Sequence, residues 1–230
     1  MIMSFSYKLD KSMAISAHFS VGEFASKSGS KLYSDSVLID DALIAVLEKL
    51  FTRLNCSKIV ITSGYRTAAH DKAVGGDGKG YHTKGMAADI NCWRVVNGKE
   101  SRFHGSEICC ALQDIGWAHG IGWIAGAAVH IDSRTTQYWF DEQNCCRSIG
   151  KDWYAYFAKK GYIVPKPGDV DGDGAVTTTD ARLILQEAAG KSEKPFTERQ
   201  KAAADVDGDG KVTTTDARLT LQNAAGKQVK

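Results

Sequence analysis

The segment YHTKGMAADI, residues 81–90, contains a histidine and an aspartate seven residues apart, His82 and Asp89. A second histidine, His130, stands in AVHIDSR further along the chain. Two imidazoles and a carboxylate are a common ligand set of catalytic zinc, which keeps a fourth position open. The structural alternative is that the alanines and Ile90 begin a buried strand, and that His82 is an ordinary loop residue. Taken alone, the residue types fit both interpretations.

Several segments around these residues have the periodicity of regular structure. The run KIVIT (58–62) is β-branched and apolar, which predicts a strand that leads into SGYR. Segment 34–54 has apolar residues at the spacing of a helix. The glycines between 75 and 80 indicate a loop before the first histidine. GIGWIAGAAVHIDSR (120–134) predicts a turn followed by a short strand that holds His130.

The motifs SGYR, HTKGMAAD and HID, in this order, resemble those of the LAS-type zinc peptidases, a family of D-Ala-D-Ala carboxypeptidases and L-Ala-D-Glu endolysins. The resemblance runs from HFSVGEFA (18–25) to about residue 140. It implies that one zinc ion is bound by His82, Asp89 and His130. It also implies an α+β domain of the hedgehog/DD-peptidase type, with helices and a small antiparallel sheet, that acts on peptidoglycan-type peptides.

The same resemblance assigns roles to residues in and after SGYR. Arg66 would place its guanidinium near the scissile carbonyl or the substrate carboxylate, where its donors stabilise the oxyanion. The alternative for Arg66 is a surface salt bridge. Three further residues, with a weaker claim, take positions that line the substrate cleft in the family: Ser63, Tyr65 and His70.

The chain departs from the family at one position. Many members carry an acidic residue three before the last histidine as general base, and here that residue is Ala127. A missing base removes a contribution of roughly 10²–10⁴-fold. Asp132 is the nearest catalytic substitute, because residues 130 and 132 of a strand share a face. It fits two roles, base or hydrogen-bond partner that orients His130, and the second is favoured. His119 is a further candidate, and a structural role is favoured for it.

The second half of the chain contains a duplication. DVDGDGAVTTTDARLILQEAAGK and DVDGDGKVTTTDARLTLQNAAGK follow one another closely. Oxygen donors recur at positions 1, 3, 5, 9 and 12, glycine stands at position 6, and position 7 offers a carbonyl, which is the pattern of a calcium loop. The predicted ligands of two calcium ions are Asp169, Asp171, Asp173, Ala175, Thr177 and Asp180, and then Asp205, Asp207, Asp209, Lys211, Thr213 and Asp216.

Each loop runs into a short amphipathic helix with Leu183 or Leu219 inward and glycine at its end. The first loop follows the proline segment VPKPG directly, where an EF-hand has a helix, and position 12 is aspartate where an EF-hand has glutamate. The duplication resembles a type I dockerin over residues 168–227, which implies a small all-α module that binds a cohesin of a scaffoldin. Positions 10 and 11, which help set cohesin choice in that family, are Thr178, Thr179, Thr214 and Thr215. Because both copies carry the same contact residues, binding in two orientations related by a half turn is possible in principle.

The segment VPKPG, residues 164–168, separates the two motif regions. Its two prolines lack amide donors and stiffen the backbone, which suits an interdomain spacer. The sequence therefore predicts a zinc peptidase-like domain at 1–163, a linker at 164–168 and a dockerin at 169–230.

The composition is that of an ordinary globular protein, with 43% hydrophobic and 24% charged residues and a net charge of +2. This balance gives no reason to expect a nucleic-acid partner, and no run of about 18 apolar residues predicts a membrane span. Residues 1–20 lack the apolar core of a secretory signal. The dockerin nevertheless implies an extracellular or cell-surface scaffold of the cellulosome kind, reached by another export route or with a signal outside this chain.

The six cysteines all precede the linker. Two vicinal pairs and no CxxC argue against a zinc–cysteine site. Buried free thiols are the favoured interpretation, and one long-range bridge, for instance between the vicinal pairs, is the alternative. The cysteines are Cys56, Cys92, Cys109, Cys110, Cys145 and Cys146.

Two functions follow from these motifs. The favoured one is a zinc metallopeptidase, a carboxypeptidase or an endopeptidase, that cleaves peptidoglycan-type peptides and is tethered by its dockerin to a scaffold. The alternative is a binding module that keeps its metal and holds wall peptides with weak catalysis or none. The feature that separates them is the pair Ala127 and Asp132.

Overall fold

The chain divides into two compact units, residues 1–156 and 157–230. The predicted linker at 164–168 lies within the second unit and stays our proposal for the domain boundary. Residue 163, the end of the predicted peptidase-like domain, and residues 227–230, the end of the predicted dockerin, lie outside the described residues. The computed structural model describes residues 1–96, 98–162 and 164–226.

Both units are built from short elements, most of them under ten residues. The strands are β1 Ile2–Ser6, β2 Lys27–Ser28, β3 Lys31–Leu32, β4 Ser36–Asp40, β5 Lys58–Ser63, β6 Ala87–Val96, β7 Lys99–Arg102, β8 Gly120–Ala125, β9 Ala128–Asp132, β10 Tyr138–Asp141 and β11 Arg147–Gly150. The helices are α1 Tyr7–Asp10, α2 Asp41–Arg53, α3 Ala68–Ala73, α4 Gly105–Asp114, α5 Trp153–Lys159, α6 Thr178–Ala188, α7 Glu198–Ala204 and α8 Thr214–Ala224.

The central feature of the first unit is a sheet of seven described strands in the order β11-β10-β8-β9-β6-β5, with β7 paired to β6. The predicted α+β class is therefore confirmed. The sheet is not wholly antiparallel as predicted, because β8 and β10 run parallel. The chain leaves β9 on one side of β8 and enters β10 on the other. β9 is antiparallel to β8, and the chain reverses direction again before β10. β10 is therefore parallel to β8.

One cross-strand row of the sheet holds most of the chemistry. Ser63 of β5 pairs with Asp89 of β6, and Asp89 pairs with His130 of β9. The row continues from His130 to Gly122 of β8 and from there to Phe140 of β10. Residues in register on neighbouring strands point to one face of a sheet. The folding of the sheet therefore brings together residues that are far apart in sequence.

The opposite face of the sheet carries the core. Residues of β6 that alternate with the row, Ile90 among them, are buried on this face, where α2 packs against β6 and α4 packs against β8 and β9. The predicted helix in segment 34–54 is confirmed as α2, which begins later because the Asp40 side chain caps it by accepting from the Ala42 amide. Residues before this cap form β4, which pairs with β1. The predicted strand KIVIT is confirmed as β5.

The first part of GIGWIAGAAVHIDSR is a strand, β8, where the sequence predicted a turn. Two positions of β8 require glycine because a side chain there would collide with a residue of a neighbouring strand. A Cβ on Gly122 would lie 2.5 Å from the Phe140 ring, and one on Gly120 would lie 2.2 Å from the Asp132 carboxylate. The turn is confined to the two residues before β9, and the predicted strand that holds His130 is confirmed as β9.

The second unit contains the duplicated loops and their helices. Its apolar core is formed around Val170, Ile184 and Phe196, with alanines from α7 and α8. Leu219 is buried as predicted, and Leu183 packs against the core while partly exposed. In the part of the chain that the structure describes, no helix has the length and apolar character that crossing a membrane requires.

Candidate metal centres

Three side chains converge at one point on the sheet. His82 Nε2 lies 3.3 Å from His130 Nδ1 and 3.3 Å from Asp89 Oδ1. His130 Nδ1 lies 2.9 Å from the same carboxylate oxygen. Asp89 and His130 are register partners, and His82 comes from the 3₁₀ helix Tyr81–Lys84 in the loop before β6. Two imidazole nitrogens and one carboxylate oxygen are thus close enough to hold one metal ion.

Hydrogen bonds behind the two rings determine which nitrogen faces this cluster. The Nδ1–H of His82 donates to the Gly64 carbonyl at 2.7 Å, which leaves Nε2 as the free ligand atom. The His130 ring has the opposite orientation, with Nε2 3.0 Å from Asp132 Oδ2 and Nδ1 toward Asp89. Metal-ligating histidines commonly donate their second N–H to a carbonyl or a carboxylate. Both rings are therefore oriented as zinc ligands require.

Opposite charges within the cluster stabilise one another. Burial opposes a charge on His130, but hydrogen bonds with Asp132 and Asp89 outweigh it and raise the pKa of the imidazole to about 9. Burial also opposes a charge on Asp89, but hydrogen bonds with His130 and His82 hold the pKa of this carboxyl well below its usual range. A cation at Nδ1 of His130 would compete with the proton there, so metal binding would release that proton.

Asp132 lies behind the His130 ring, on the side away from the cluster. The carboxylate is fully buried and accepts from Arg134 Nε at 2.7 Å and from Arg134 Nη2. Burial opposes its charge, but the bonds from Arg134 and His130 lower the pKa of Asp132 to about 2. This position favours an orienting role over that of a base. Arg134 was not predicted; it lies two residues beyond Asp132, just after the end of β9.

Arg66 borders the cluster through Asp89. Its Nη2 donates to Asp89 Oδ2 at 2.7 Å, its Nε to Ser63 Oγ at 2.7 Å, and its Nη1 to Asp71 Oδ1 at 3.2 Å. The side chain is only 17% exposed, unlike a surface salt bridge. A guanidinium has five N–H donors, so two remain for a ligand. Asp71 is buried and also accepts from the Gly78 amide. No pattern in the sequence indicated this role of Asp71.

The other predicted cleft residues have different surroundings. Ser63 accepts from Arg66 within the row. Tyr65 is partly buried. His70 is buried, with Nδ1 3.0 Å from Ser26 Oγ and its ring stacked on Tyr33 at 4.1 Å. These contacts of His70 favour a structural role, whereas Ser63 is in direct contact with the residues that surround the cluster.

The remaining candidate base, His119, is engaged elsewhere. Its Nδ1–H donates to the Arg134 carbonyl at 2.6 Å, and its ring lies against Trp117. Ala127, at the position where the family carries an acid, is in the turn between β8 and β9. Nδ1 of His119 is thus not free to act as a base, and Ala127 brings no carboxylate.

The duplicated loops each bring three predicted carboxylates together. Position 12 is the anchor of each loop: Asp180 is fully buried and accepts from the amides of Val170 at 3.0 Å and Thr177 at 2.9 Å. Asp216 makes the same bonds in the second copy. The two groups, whose carboxylate oxygens lie within 4.8 Å of one another, are Asp169, Asp171 and Asp180, and Asp205, Asp207 and Asp216.

The other predicted loop ligands lie around these groups. The position 5 carboxylates, Asp173 and Asp209, accept from the amides of the position 7 residues, Ala175 and Lys211, at 2.8 Å in both copies. The position 9 threonines, Thr177 and Thr213, cap α6 and α8.

The second loop contains an oxygen without a hydrogen-bond partner. Among the described residues, Asp205 Oδ1 is buried and has none, and burial raises the pKa of this carboxyl. A buried polar atom without a hydrogen-bond partner lowers the stability of the fold by about 1–3 kcal/mol, and a charged atom lowers it by more. A cation among these carboxylates supplies the missing partner, so the donor set fits calcium.

The helices that follow the loops pack side by side and leave a groove. The predicted contact residues Thr178, Thr179, Thr214 and Thr215 are all exposed at the helix starts. Equivalent leucines of the two copies, Leu185 and Leu221, are 48% and 49% exposed and were not predicted. The groove, of about 400 Å³, is lined by Thr178, Ala181, Arg182, Leu185, Thr214, Ala217, Arg218 and Leu221.

All six cysteines are free thiols. Four of them are buried, which agrees with the favoured interpretation for those positions. Cys145 and Cys146 are exposed, so the suggested bridge between the vicinal pairs is not formed. Burial raises the pKa of Cys109 and Cys110, and these thiols are therefore poor nucleophiles.

Comparison with protein-family models gives two matches. Residues 17–117 match the Peptidase M15 family, and residues 167–223 match the type I dockerin domain. Searches of curated proteins and of solved structures gave no match. The two matched regions follow one another in the order that the motifs predicted, first one similar to Peptidase M15 and then one similar to a type I dockerin. His130 lies beyond the residues matched to Peptidase M15, so its inclusion in the cluster depends on the sheet geometry.

Proposed function

We propose that this chain is a zinc metallopeptidase that cleaves peptidoglycan-type peptides, in the manner of the D-Ala-D-Ala carboxypeptidases. The first unit then has the hedgehog/DD-peptidase type of fold. One observation carries the proposal: His82 Nε2, Asp89 Oδ1 and His130 Nδ1 converge within 3.3 Å of one another. The match to a peptidase family supports hydrolysis over a purely structural role.

The residues in and around the cluster have different proposed roles. His82, Asp89 and His130 would hold one zinc ion, which supplies Lewis-acid polarisation of the substrate carbonyl. Arg66 has two N–H donors left for a carboxylate or an oxyanion, and its other bonds hold the guanidinium in position. Asp132 keeps the His130 ring in the orientation that exposes Nδ1.

The test is mass spectrometry of peptidoglycan fragments after incubation with zinc-loaded protein. Loss of one terminal alanine identifies a carboxypeptidase, and an internal cut identifies an endopeptidase. The matched control is His82→Ala, which removes one ligand. Zinc-dependent products that are missing with this control support the proposal. Unchanged fragments with every wall peptide tried contradict it.

A second candidate function is a wall-peptide binding module. Ala127, which stands where the family carries its base, favours this candidate. The two functions differ in one measurement, because a module binds the peptide fragments with measurable affinity and leaves them intact. Binding and hydrolysis assays on the same fragments therefore decide between them.

Replacement of Asp132 by asparagine tests the orienting role. The change keeps the shape of the side chain and removes its charge, so that His130 and Arg134 lose a charged partner. We expect zinc affinity to fall by about 10- to 100-fold together with activity. If Asp132 is instead the general base, the asparagine variant should keep its zinc affinity while hydrolysis falls by roughly 10²-fold or more. Chelator competition and turnover, with folding checked by circular dichroism, distinguish these results.

For the second unit we propose two calcium ions and a cohesin module of a scaffoldin as partner. The carboxylate groups of both loops and the dockerin match support this assignment. The protein would then be extracellular or attached to a scaffold at the cell surface. The proposed contact face comprises the four predicted threonines, Thr178, Thr179, Thr214 and Thr215, and the groove beside them.

The equivalence of the two copies predicts the effect of mutations in this face. Changing Thr178 and Thr179 to arginine should leave cohesin binding largely intact, because the second copy presents the same residues after a half turn. Changing Thr214 and Thr215 as well should abolish binding, which calorimetry with a cohesin module measures. Loss of binding with the first pair alone would contradict the two-orientation hypothesis.

A further inference from the structure

The structure assigns a catalytic residue that the motifs did not indicate: we propose that Glu142 is the general base of the metal site. The proposal rests on the proposed peptidase function. It resolves the absence of an acid at position 127, because the residue that follows β10 supplies the carboxylate.

The sheet positions Glu142 on the face of the cluster. Phe140 of β10 is in the same row as His130, and their rings are 5.8 Å apart across Gly122, which has no side chain. Glu142 follows two residues later, at the start of the 3₁₀ helix Glu142–Asn144. The intervening Asp141 is fully buried toward the other side, where it accepts from the Tyr156 hydroxyl. Glu142 therefore lies on the Phe140 side of β10.

The same register places Glu142 near the turn that contains Ala127. Asp141 is level with Trp123 of β8, which pairs with Val129 of β9. Glu142, the first residue after β10, follows at the level of Ile124, next to the last pair of the hairpin, Ala125 and Ala128. Ala127 immediately precedes Ala128 of that pair, so the Glu142 carboxylate lies near the level at which the family carries its acid.

The carboxylate of Glu142 is half-buried and available. Within the described part of the chain it makes no hydrogen bond and no ion pair, in contrast to Asp132, which is engaged by His130 and Arg134. Burial raises the pKa of Glu142, and the charges that act on it next are those of His130, Asp89, His82 and Arg66. These four groups are the cluster and its arginine, so Glu142 is close to the place where the reaction occurs.

In the proposed hydrolysis step, Glu142 transfers one proton from the attacking water to the leaving amine. The Glu142 carboxylate takes a proton from the attacking water as the water oxygen forms a bond to the scissile carbonyl carbon. The same carboxyl then gives this proton to the leaving amine nitrogen as the C–N bond breaks. The products are a carboxylic acid and an amine, and Glu142 returns to its ionised form.

Glu142→Gln is the direct test, because it keeps size and removes the proton acceptor. We expect kcat to fall by roughly 10²-fold or more, while KM and zinc affinity, measured by chelator competition, stay at the wild-type values. Glu100→Gln is the matched control, since Glu100 is exposed and pairs with Lys58 away from the cluster. Turnover of Glu142→Gln equal to wild type, or loss of its zinc, would overturn the role.

A second variant tests the equivalence of the two positions. Adding Ala127→Glu to Glu142→Gln restores a carboxylate at the level of the hairpin end. We expect turnover above that of Glu142→Gln alone, and no gain would contradict the placement on which the inference depends. If the wild type itself cleaves no wall peptide, the proposed function fails and this role with it. If the wild type is active and Glu142→Gln is equally active, only the role of Glu142 is wrong.

Discussion

We expect His82→Ala to lose most of its zinc and its hydrolytic activity. Only two protein ligands, Asp89 and His130, remain after this change, whereas a catalytic zinc site uses three. Removal of a ligand should cost more than the about 10- to 100-fold that follows from losing an outer hydrogen-bond partner. Metal analysis after dialysis and turnover of wall peptides measure the two effects.

The control for this experiment is His18→Ala. His18 pairs with Glu48 and stacks on Phe51, outside the cluster. Its removal should leave zinc content and activity unchanged. Full zinc content in His82→Ala would show that the metal is bound elsewhere, and would contradict the proposed ligand set.

A calcium-selective chelator should unfold the second unit and leave the first one folded. Each loop gathers three carboxylates within 4.8 Å, and these groups repel one another without a cation. Although a backbone hydrogen bond from Asp173 opposes the effect, burial and the charges of Asp180 and other loop aspartates raise the pKa of Asp171. Binding free energy at such sites is folding free energy. We therefore expect most of the helical signal of α6, α7 and α8 to disappear.

The chain contains its own control for the chelation experiment. All five tryptophans lie between residues 93 and 153, so their fluorescence reports the first unit alone. Loss of far-ultraviolet circular dichroism with unchanged tryptophan emission is the expected result. Restoration by added calcium makes the change reversible. A circular dichroism spectrum that is the same with and without chelator would contradict calcium-dependent folding.

The elements that sequence predicts well are those whose determinants are local. The calcium loops are readable because their donors are close neighbours along the chain, and α2 and β5 follow from apolar periodicity. The strand β8 was predicted as a turn because Gly120 and Gly122 are typical of turns. Glycine is required at these two positions because the Asp132 carboxylate and the Phe140 ring approach them from neighbouring strands and leave no room for a side chain.

The three residues of the cluster were predictable from the sequence, and their surroundings were not. His82, Asp89 and His130 were found through a family resemblance. The Gly64 carbonyl, which orients His82, carries no side-chain signal. Glu142 is brought near the cluster by the parallel pairing of β10 with β8, and the sequence indicated no such pairing. Strand register across a sheet is a long-range property, and single-chain periodicity does not determine it.

The two kinds of metal site differ in when they can form during folding. Asp89 and His130 are 41 residues apart and meet only when β6 and β9 have paired. The chain must therefore bear the entropic cost of closing this loop before the three proposed zinc ligands are together. Each calcium set lies within a loop of about twelve residues. We therefore expect calcium to bind a nascent loop and nucleate the adjoining helix, and zinc to bind only a sheet that is already assembled.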